Sequence, residues 1–465
     1  MWISCVFYDI ITIIAQKCLV HLKIVKDSNN KLLPVIDRKD LALMKMIAYR
    51  VPAVILIFVM LIGLVTGCFG NRQGSTPEPT PTPVETPRPT PPPPTAEPTP
   101  EPVVLVEYDT TLPVDNLFFH EAIAYPEIAF PNRVDQFNLD EYMNTVHEFK
   151  EILQSLYNRN FVLVSLHDVW EEFINDDGQR RMRRISPFML PEGKRPIVLS
   201  FDDLTFHLEP FNAFMHRYII GPDGEVWAEG IDPNGNPIIT QDLAAITILD
   251  KFIRENPGFS HNGAKGLIAQ TGLHGILGYR TQTNRNDDSD EFRLNRRLEI
   301  ARARPVIDRL NETGWYWGSH SWGHIRFDNS SLDRIQQDAE RWNDEVRSLI
   351  GDTVIMVYAH GSRLDGNDVW RETAGPALRY YVDELGFRMF LSVGFEPFSR
   401  ARRDVPAVMM DRMNVDGIAL RGVQRQVRER DNVLLWDYTK FYNVREVFDP
   451  LRPTEGSRVR DIQWE

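Results

Sequence analysis

From about Val103 onward the apolar positions recur in two alternating textures, one of helical period and one strand-like. Tyr142, Val146, Phe149, Leu153 and Leu156 share one face at 3.6-residue spacing and predict a helix. Phe161 to Leu166 (FVLVSL) is short, apolar and β-branched, and predicts a strand; Pro196 to Ser200 (PIVLS) repeats that texture. Leu243, Ile246, Leu249 and Ile253 predict a second helix, closed by Pro257. Gly266 to Ala269 (GLIA) returns to a buried strand, and Leu294 to Leu310 to a helix charged on one side. Trp315 to Trp317 predicts a short strand. Ser330 with Asp333 resembles a capping box and predicts a helix ending near Gly351. Val354 to Tyr358 (VIMVY) and Met389 to Val393 (MFLSV) complete the strand series.

Strands separated by helices imply parallel pairing and an α/β fold. Their number suits a distorted or incomplete (β/α) barrel, whose chemistry would sit at the C-terminal ends of the strands. The rhythm breaks once. Tyr218 to Ile239 carries Pro222-Asp223-Gly224 and Asn234-Gly235, both turn signals, and predicts a β-hairpin inserted at about 217–240.

The first 103 residues have a different texture. Lys45 and Arg50 precede the apolar run Val51 to Val65, which ends in Thr66-Gly67-Cys68. Charge, apolar core and small residues in that order are the pattern of a secretory signal. The Val-Thr-Gly-Cys ending resembles a bacterial lipobox, which implies lipidation at Cys68 and an extracytoplasmic protein anchored to the membrane as a lipoprotein. The other reading is a plain transmembrane anchor, for which the run is slightly short of the roughly 20 residues a span needs. A signal peptide at 44–68 leaves residues 1–43 as an upstream mis-start or a cytoplasmic extension. Thr76 to Pro102 is a Pro/Thr tract without apolar period. It favours extended polyproline II, so 69–103 is expected to be a spacer ahead of a catalytic domain at 104–465.

Composition narrows the function. Of 465 residues 43% are hydrophobic, enough for a sizeable core, and the net charge of −13 argues against a nucleic-acid partner. The three cysteines are Cys5, Cys18 and Cys68, so no disulfide can form within the later part of the chain. A secreted domain without disulfides must rely on a large core, a metal, or both. Oligomeric state is not legible.

Two short motifs carry chemistry. Phe201-Asp202-Asp203 directly follows the PIVLS strand, placing two carboxylates at a barrel mouth, although an Asp pair alone also suits a solvated turn. His320-Ser321-Trp322-Gly323-His324 follows the Trp315–Trp317 strand. Histidines four apart share one face of a helical turn and can grip one metal ion; surface or capping histidines show the same spacing. Taken together, in this order, the two motifs resemble those of the polysaccharide deacetylase family (carbohydrate esterase family 4), and the likeness extends over roughly Leu117 to Val415. The segment Phe259 to Arg280 and the hairpin before it are similar to a bacterial branch with a long insertion after the first motif.

The resemblance implies a metal-dependent hydrolase that removes N-acetyl groups from a polysaccharide such as peptidoglycan or an exopolysaccharide. Asp202 is then the general base. Asp203, His320 and His324 hold a divalent ion, zinc in the first instance, with cobalt, nickel or iron as alternatives. The family's third motif reads Arg-x-Pro-Tyr or Tyr-Pro-x-Gly. Here Tyr358-Ala359-His360-Gly361 keeps Tyr and Gly with Ala for Pro, and implies a groove wall with an oxyanion N–H at Tyr358 and a groove residue at His360. The usual C-terminal Leu-x-His is missing, since His360 is the last histidine. Leu117-Phe118-Phe119-His120 resembles the first-strand Tyr-His of relatives with permuted motif order, so His120 is implied as general acid, or else is a structural histidine. Arg412, in Arg412-Met413-Asn414-Val415, is implied to lie on the substrate side or to orient Asp202. Trp322, beside the histidine turn, could stack on a sugar or pack in the core. The altered third motif keeps open a glycan-binding pseudoenzyme, and the same site would serve an O-acetyl esterase on xylan-like glycans.

Overall fold

The computed structural model describes residues 23–26, 32–35, 103–130, 139–204, 213–394, 398–456 and 461–464. Cys68, the signal-like run 44–68 and most of the spacer lie outside the described residues. Thr99–Glu465 forms one compact unit and Met1–Pro98 another, in which Lys23–Lys26 pairs antiparallel with Leu32–Val35.

Seven parallel strands close on themselves in the second unit. They are β1 (Asp115–Phe119), β2 (Arg195–Asp202), β3 (Leu267–Gln270), β4 (Tyr316–Ser319), β5 (Ile355–Val357), β6 (Met389–Val393) and β7 (Val408–Asn414). The order around the barrel is β3-β4-β5-β6-β7-β1-β2, and β2 pairs back onto β3. The barrel is one strand short of a complete eightfold one, as the sequence leads one to expect. β2 is shared along its length. Arg195–Ile197 pairs with the short strand Phe161–Leu163, and Ser200–Asp202 pairs with Leu267–Ala269. A further strand, Ser399–Ala401, runs antiparallel along the start of β7.

Strand alternation sorts the side chains into two layers. Val198, Leu267, Ala269, Ile355, Val357, Met389, Leu391, Val408 and Met410 make one buried cluster inside the barrel. Their neighbours Leu199, Phe201, Ile268, Met356, Phe390 and Met409 pack outward against the helices in the main core. Four helices supply much of that outer layer. α1 (Val146–Asn158) is opened by a capping box, in which Thr145 Oγ1 accepts the Glu148 N–H and Glu148 accepts the Thr145 N–H. It buries Phe149, Ile152, Leu153 and Leu156, while Tyr142 belongs to a separate short turn before it. α2 (Ala245–Glu255) is followed by a 3₁₀ turn beginning at Pro257. α3 spans Asp290–Glu312.

α4 (Leu332–Trp342) corrects one expectation. Its cap is Ser331, whose hydroxyl accepts the Arg334 N–H, whereas the Ser330 hydroxyl donates to the Arg326 carbonyl. The cap thus lies one residue later than the Ser330–Asp333 spacing predicts. The helix runs on through a π turn at Asn343–Arg347 and stops at Gly351, at φ 94°. The insertion between β2 and α2 is larger than a hairpin. Arg217–Ile220, Val226–Ile231 and Pro237–Thr240 form a three-stranded antiparallel sheet, turned at the two expected glycine-bearing loops.

Candidate active site

The ends of β1, β2, β4, β5 and β7 meet at one mouth. Side-chain parity on β2 puts Ser200 and Asp202 on the barrel's inner face with Val198, and parity on β7 puts Arg412 there with Met410. The Arg412 guanidinium donates to both Asp202 oxygens, at 2.7 and 2.9 Å, and to Ser200 Oγ at 3.0 Å. It lies over the Phe118 ring, 4.2 Å from the centroid. Arginine and aspartate are both buried. Burial alone would push the Asp202 carboxyl up; Arg412 and then His320 outweigh it and hold the group at about 2.

Asp203 takes φ 56° and donates its N–H to the Ala269 carbonyl, which turns its side chain away from the ladder. His320 leaves β4 with Nδ1 3.0 Å from the Val357 carbonyl oxygen. That contact requires the proton on Nδ1, so in the neutral ring Nε2 presents a lone pair. Nε2 stands 3.7 Å from Asp202 and 3.9 Å from Asp203, and His324 Nε2 is 3.3 Å from Asp203. Ligand atoms of Asp203, His320 and His324 all lie within 4.8 Å of one another. The His320 lone pair turned toward these carboxylates is repelled unless a cation lies among them, and burial lowers the pKa of His320, which disfavours a proton on Nε2 as that cation. Two imidazoles and a carboxylate are a donor set suited to zinc and similar ions.

The two histidines do not share a helical face as their spacing suggests. Residues 320–324 are irregular, with Ser321 at φ 59° and His324 at φ 50°. Asp203 and His360 (φ 57°) add two more left-handed residues at the same mouth. Each such residue costs on the order of 1–3 kcal/mol, and their clustering at one place marks a functional site.

His120 follows β1 on the same face as Phe118, whose ring it meets edge-on at 6.0 Å. Its Nδ1 is buried and has no hydrogen-bond partner among the described residues. It lies close enough to Asp202 and Asp203 to help hold both carboxyls down. The exposed His360 ring lies 4.2 Å from that of His324, with Nε2 3.2 Å from the His324 carbonyl oxygen.

Tyr358 is placed otherwise than expected, while Trp322 and Arg412 each take the second of the two roles open to them, core packing and the orientation of Asp202. Val357 faces the barrel interior, so Tyr358 faces out; it is buried, and its hydroxyl donates to Asp368 at 2.7 Å. Its N–H donates to the Leu391 carbonyl at 2.8 Å and is not free for an oxyanion. Trp322 is buried, with Nε1 donating to Glu345 and the Arg341 guanidinium 3.3 Å from its ring centroid, so no face is open to a sugar. Of the two roles implied for Arg412, the contacts favour orienting Asp202, since the side chain is too buried to reach a substrate. Sequence reasoning missed Asp338 and Glu345, which hold the histidine turn. The available signal was an acidic residue, Asp338, on the apolar stripe of a helix beside Ile335, Ala339 and Trp342.

No family model matches the chain, and no curated protein does either. Among solved structures it is similar to the deacetylase PplD of Streptococcus pyogenes in complex with acetate, at 12% identity and TM-score 0.35 over 66% of this chain and 93% of that one. A polysaccharide deacetylase from Bacillus cereus aligns at 11% identity and TM-score 0.34, over 65% of each chain. The deacetylase domain of BpsB from Bordetella bronchiseptica aligns at 12% identity and TM-score 0.31, over 68% of this chain and 100% of that domain.

Proposed function

We propose that this chain is a divalent-metal-dependent hydrolase of the polysaccharide deacetylase type, removing N-acetyl groups from a cell-surface or extracellular glycan. The observation that carries the reading is the convergence of Asp203, His320 and His324 beside an Asp202 held ionised by Arg412. Asp203, His320 and His324 would hold the ion, which supplies Lewis acidity toward a carbonyl oxygen and its water. Asp202 is the base. With a carboxyl near 2 it stays ionised across the physiological range but accepts protons poorly from ordinary water, which suits an acidified nucleophile. His120 is the acid that protonates the departing amine, its Nδ1 still without a hydrogen-bond partner among the described residues. The Tyr358 N–H, spent on Leu391, has no part in stabilising the oxyanion.

The lipobox-like ending at Cys68 supports a lipid-anchored, extracytoplasmic protein, with the Pro/Thr tract as a spacer toward a polymer. Among the described residues no helix is long and apolar enough to cross a membrane. The test is acetate release by the full chain from a panel of N- and O-acetylated glycans, with chelator and with metal restored. Chelator-sensitive release from the N-acetylated members is expected. Release from O-acetylated xylan alone would make it an esterase, and binding without release a glycan-binding protein.

A further inference from the structure

In a helical HxxxH pair the helix backbone aims both rings. Here the turn is irregular, so something else must fix it, and the contacts trace that role to α4. The buried Asp338 carboxylate accepts two consecutive peptide N–H groups, Trp322 at 2.7 Å on Oδ1 and Gly323 at 2.8 Å on Oδ2. Those two residues lie between Ser321 and His324, both at positive φ. Gly323 eases this approach, because a Cβ there would stand 3.0 Å from Asp338 Oδ2 and the carboxylate would have to give by a few tenths of an ångström. Ser321 Oγ accepts the Ile325 N–H at 3.0 Å and closes the far end of the turn.

A second brace runs through the indole of Trp322. Glu345, in the π turn that continues α4, accepts Trp322 Nε1 at 2.9 Å and the Thr283 N–H at 3.1 Å. Arg341 donates to Glu345 at 2.8 Å and lies on the Trp322 ring. On the loop after β3, a Cβ at Gly272 would overlap the same indole, at 2.2 Å. Single π turns inside α-helices recur at functional sites, and this one carries the glutamate that the indole needs.

We propose that Asp338 is a positioning residue for the metal. It fixes the Trp322–Gly323 peptides so that His320 and His324 aim their Nε2 atoms at one point with Asp203, while Trp322 and Glu345 brace the turn. This rests on the metal-site reading above. Asparagine at 338 would turn an amide N–H toward one of the two peptide N–H groups, so the turn would lose one acceptor and gain a repulsion. Outer partners of metal ligands typically change affinity by roughly 10–100-fold when removed.

The test uses Co²⁺ on the full chain, titrated against a competing chelator and followed by its visible absorption. Wild type is expected to take up one ion with the visible bands of an imidazole-bound site. Asp338→Asn should raise the Co²⁺ Kd by about 10–100-fold, with altered bands and a smaller metal-induced rise in Tm, while its metal-free Tm changes less. Gly323→Ala keeps the carboxylate but crowds it, and should weaken Co²⁺ in the same direction; it carries the test if Asp338→Asn does not fold. Unchanged affinity and bands in the folded variant would overturn the proposal. Failure of wild type to bind cobalt at all would instead overturn the metal reading, and this inference with it.

Discussion

Asp202 and Arg412 show how one residue pair can set both chemistry and stability. The guanidinium replaces the water that Asp202 loses on burial, and among the described residues neither group has another full charge partner at hydrogen-bond distance. Arg412→Met should therefore leave a buried, uncompensated carboxylate, costing about 3–5 kcal/mol in denaturant unfolding. Asp202→Asn should keep the ion and lose turnover, since the amide cannot take a proton, whereas His320→Ala or His324→Ala should lose most of the metal. Equal metal content in all of these variants, measured by elemental analysis, would reject the ligand assignment. His120→Ala should lower kcat by about 10²–10⁴-fold on the amide and less on an activated aryl ester, whose leaving group needs no proton. Equal losses on both substrates would make His120 structural. At this scale the metal and carboxylate residues were legible because both of their short motifs stand at the end of an apolar strand. Tyr358 lies elsewhere than its motif implies because strand parity decides: Val357 points in, so Tyr358 must point out.

Elements were legible where burial is uniform. Met389–Val393 has the bounds its apolar run predicts, and the strands at Asp202 and His320 differ only at their ends. β7 leaves no clean strand signal because Asp411, Arg412 and Asn414 interrupt its apolar run, and that polarity is what brings Arg412 to Asp202. The insertion's third strand, Pro237–Thr240, alternates exposed and half-buried positions and leaves little periodic signal. A prediction belongs to the joint between these elements. Glu121, next to His120, accepts the Tyr218 hydroxyl of the inserted sheet and the N–H groups of Ala122 and of Ala245 at the start of α2. Burial pushes its carboxyl up to about 7 against the pull of those donors. Folding thus favours the protonated acid, so its stabilisation is complete below the ordinary carboxyl range and is lost as pH rises through about 7. Glu121→Gln, which can still accept the two N–H groups, should flatten the fall in Tm between pH 5 and pH 8. A variant whose Tm falls as steeply as wild type would show that Glu121 is ionised throughout.

For the whole molecule, barrel closure places five strand ends around one mouth, and no single segment of the sequence contains the site. Asp202 and Arg412 are 210 residues apart, a distance that only the fold removes. Anchoring is a separate claim. Cys68→Ala should release the protein from the membrane fraction or leave it uncleaved, and unchanged mass and partitioning would reject lipidation at that residue. The central claim is that Asp203, His320 and His324 bind one ion together. X-ray absorption at the metal edge of the zinc-loaded full chain tests it most directly. Two imidazole nitrogens at about 2.0–2.1 Å, with oxygen completing the shell, are the predicted result, and the imidazole signal should fall in His324→Ala. An ion surrounded by oxygen alone, or the same imidazole signal after His320 and His324 are both replaced, would contradict the account.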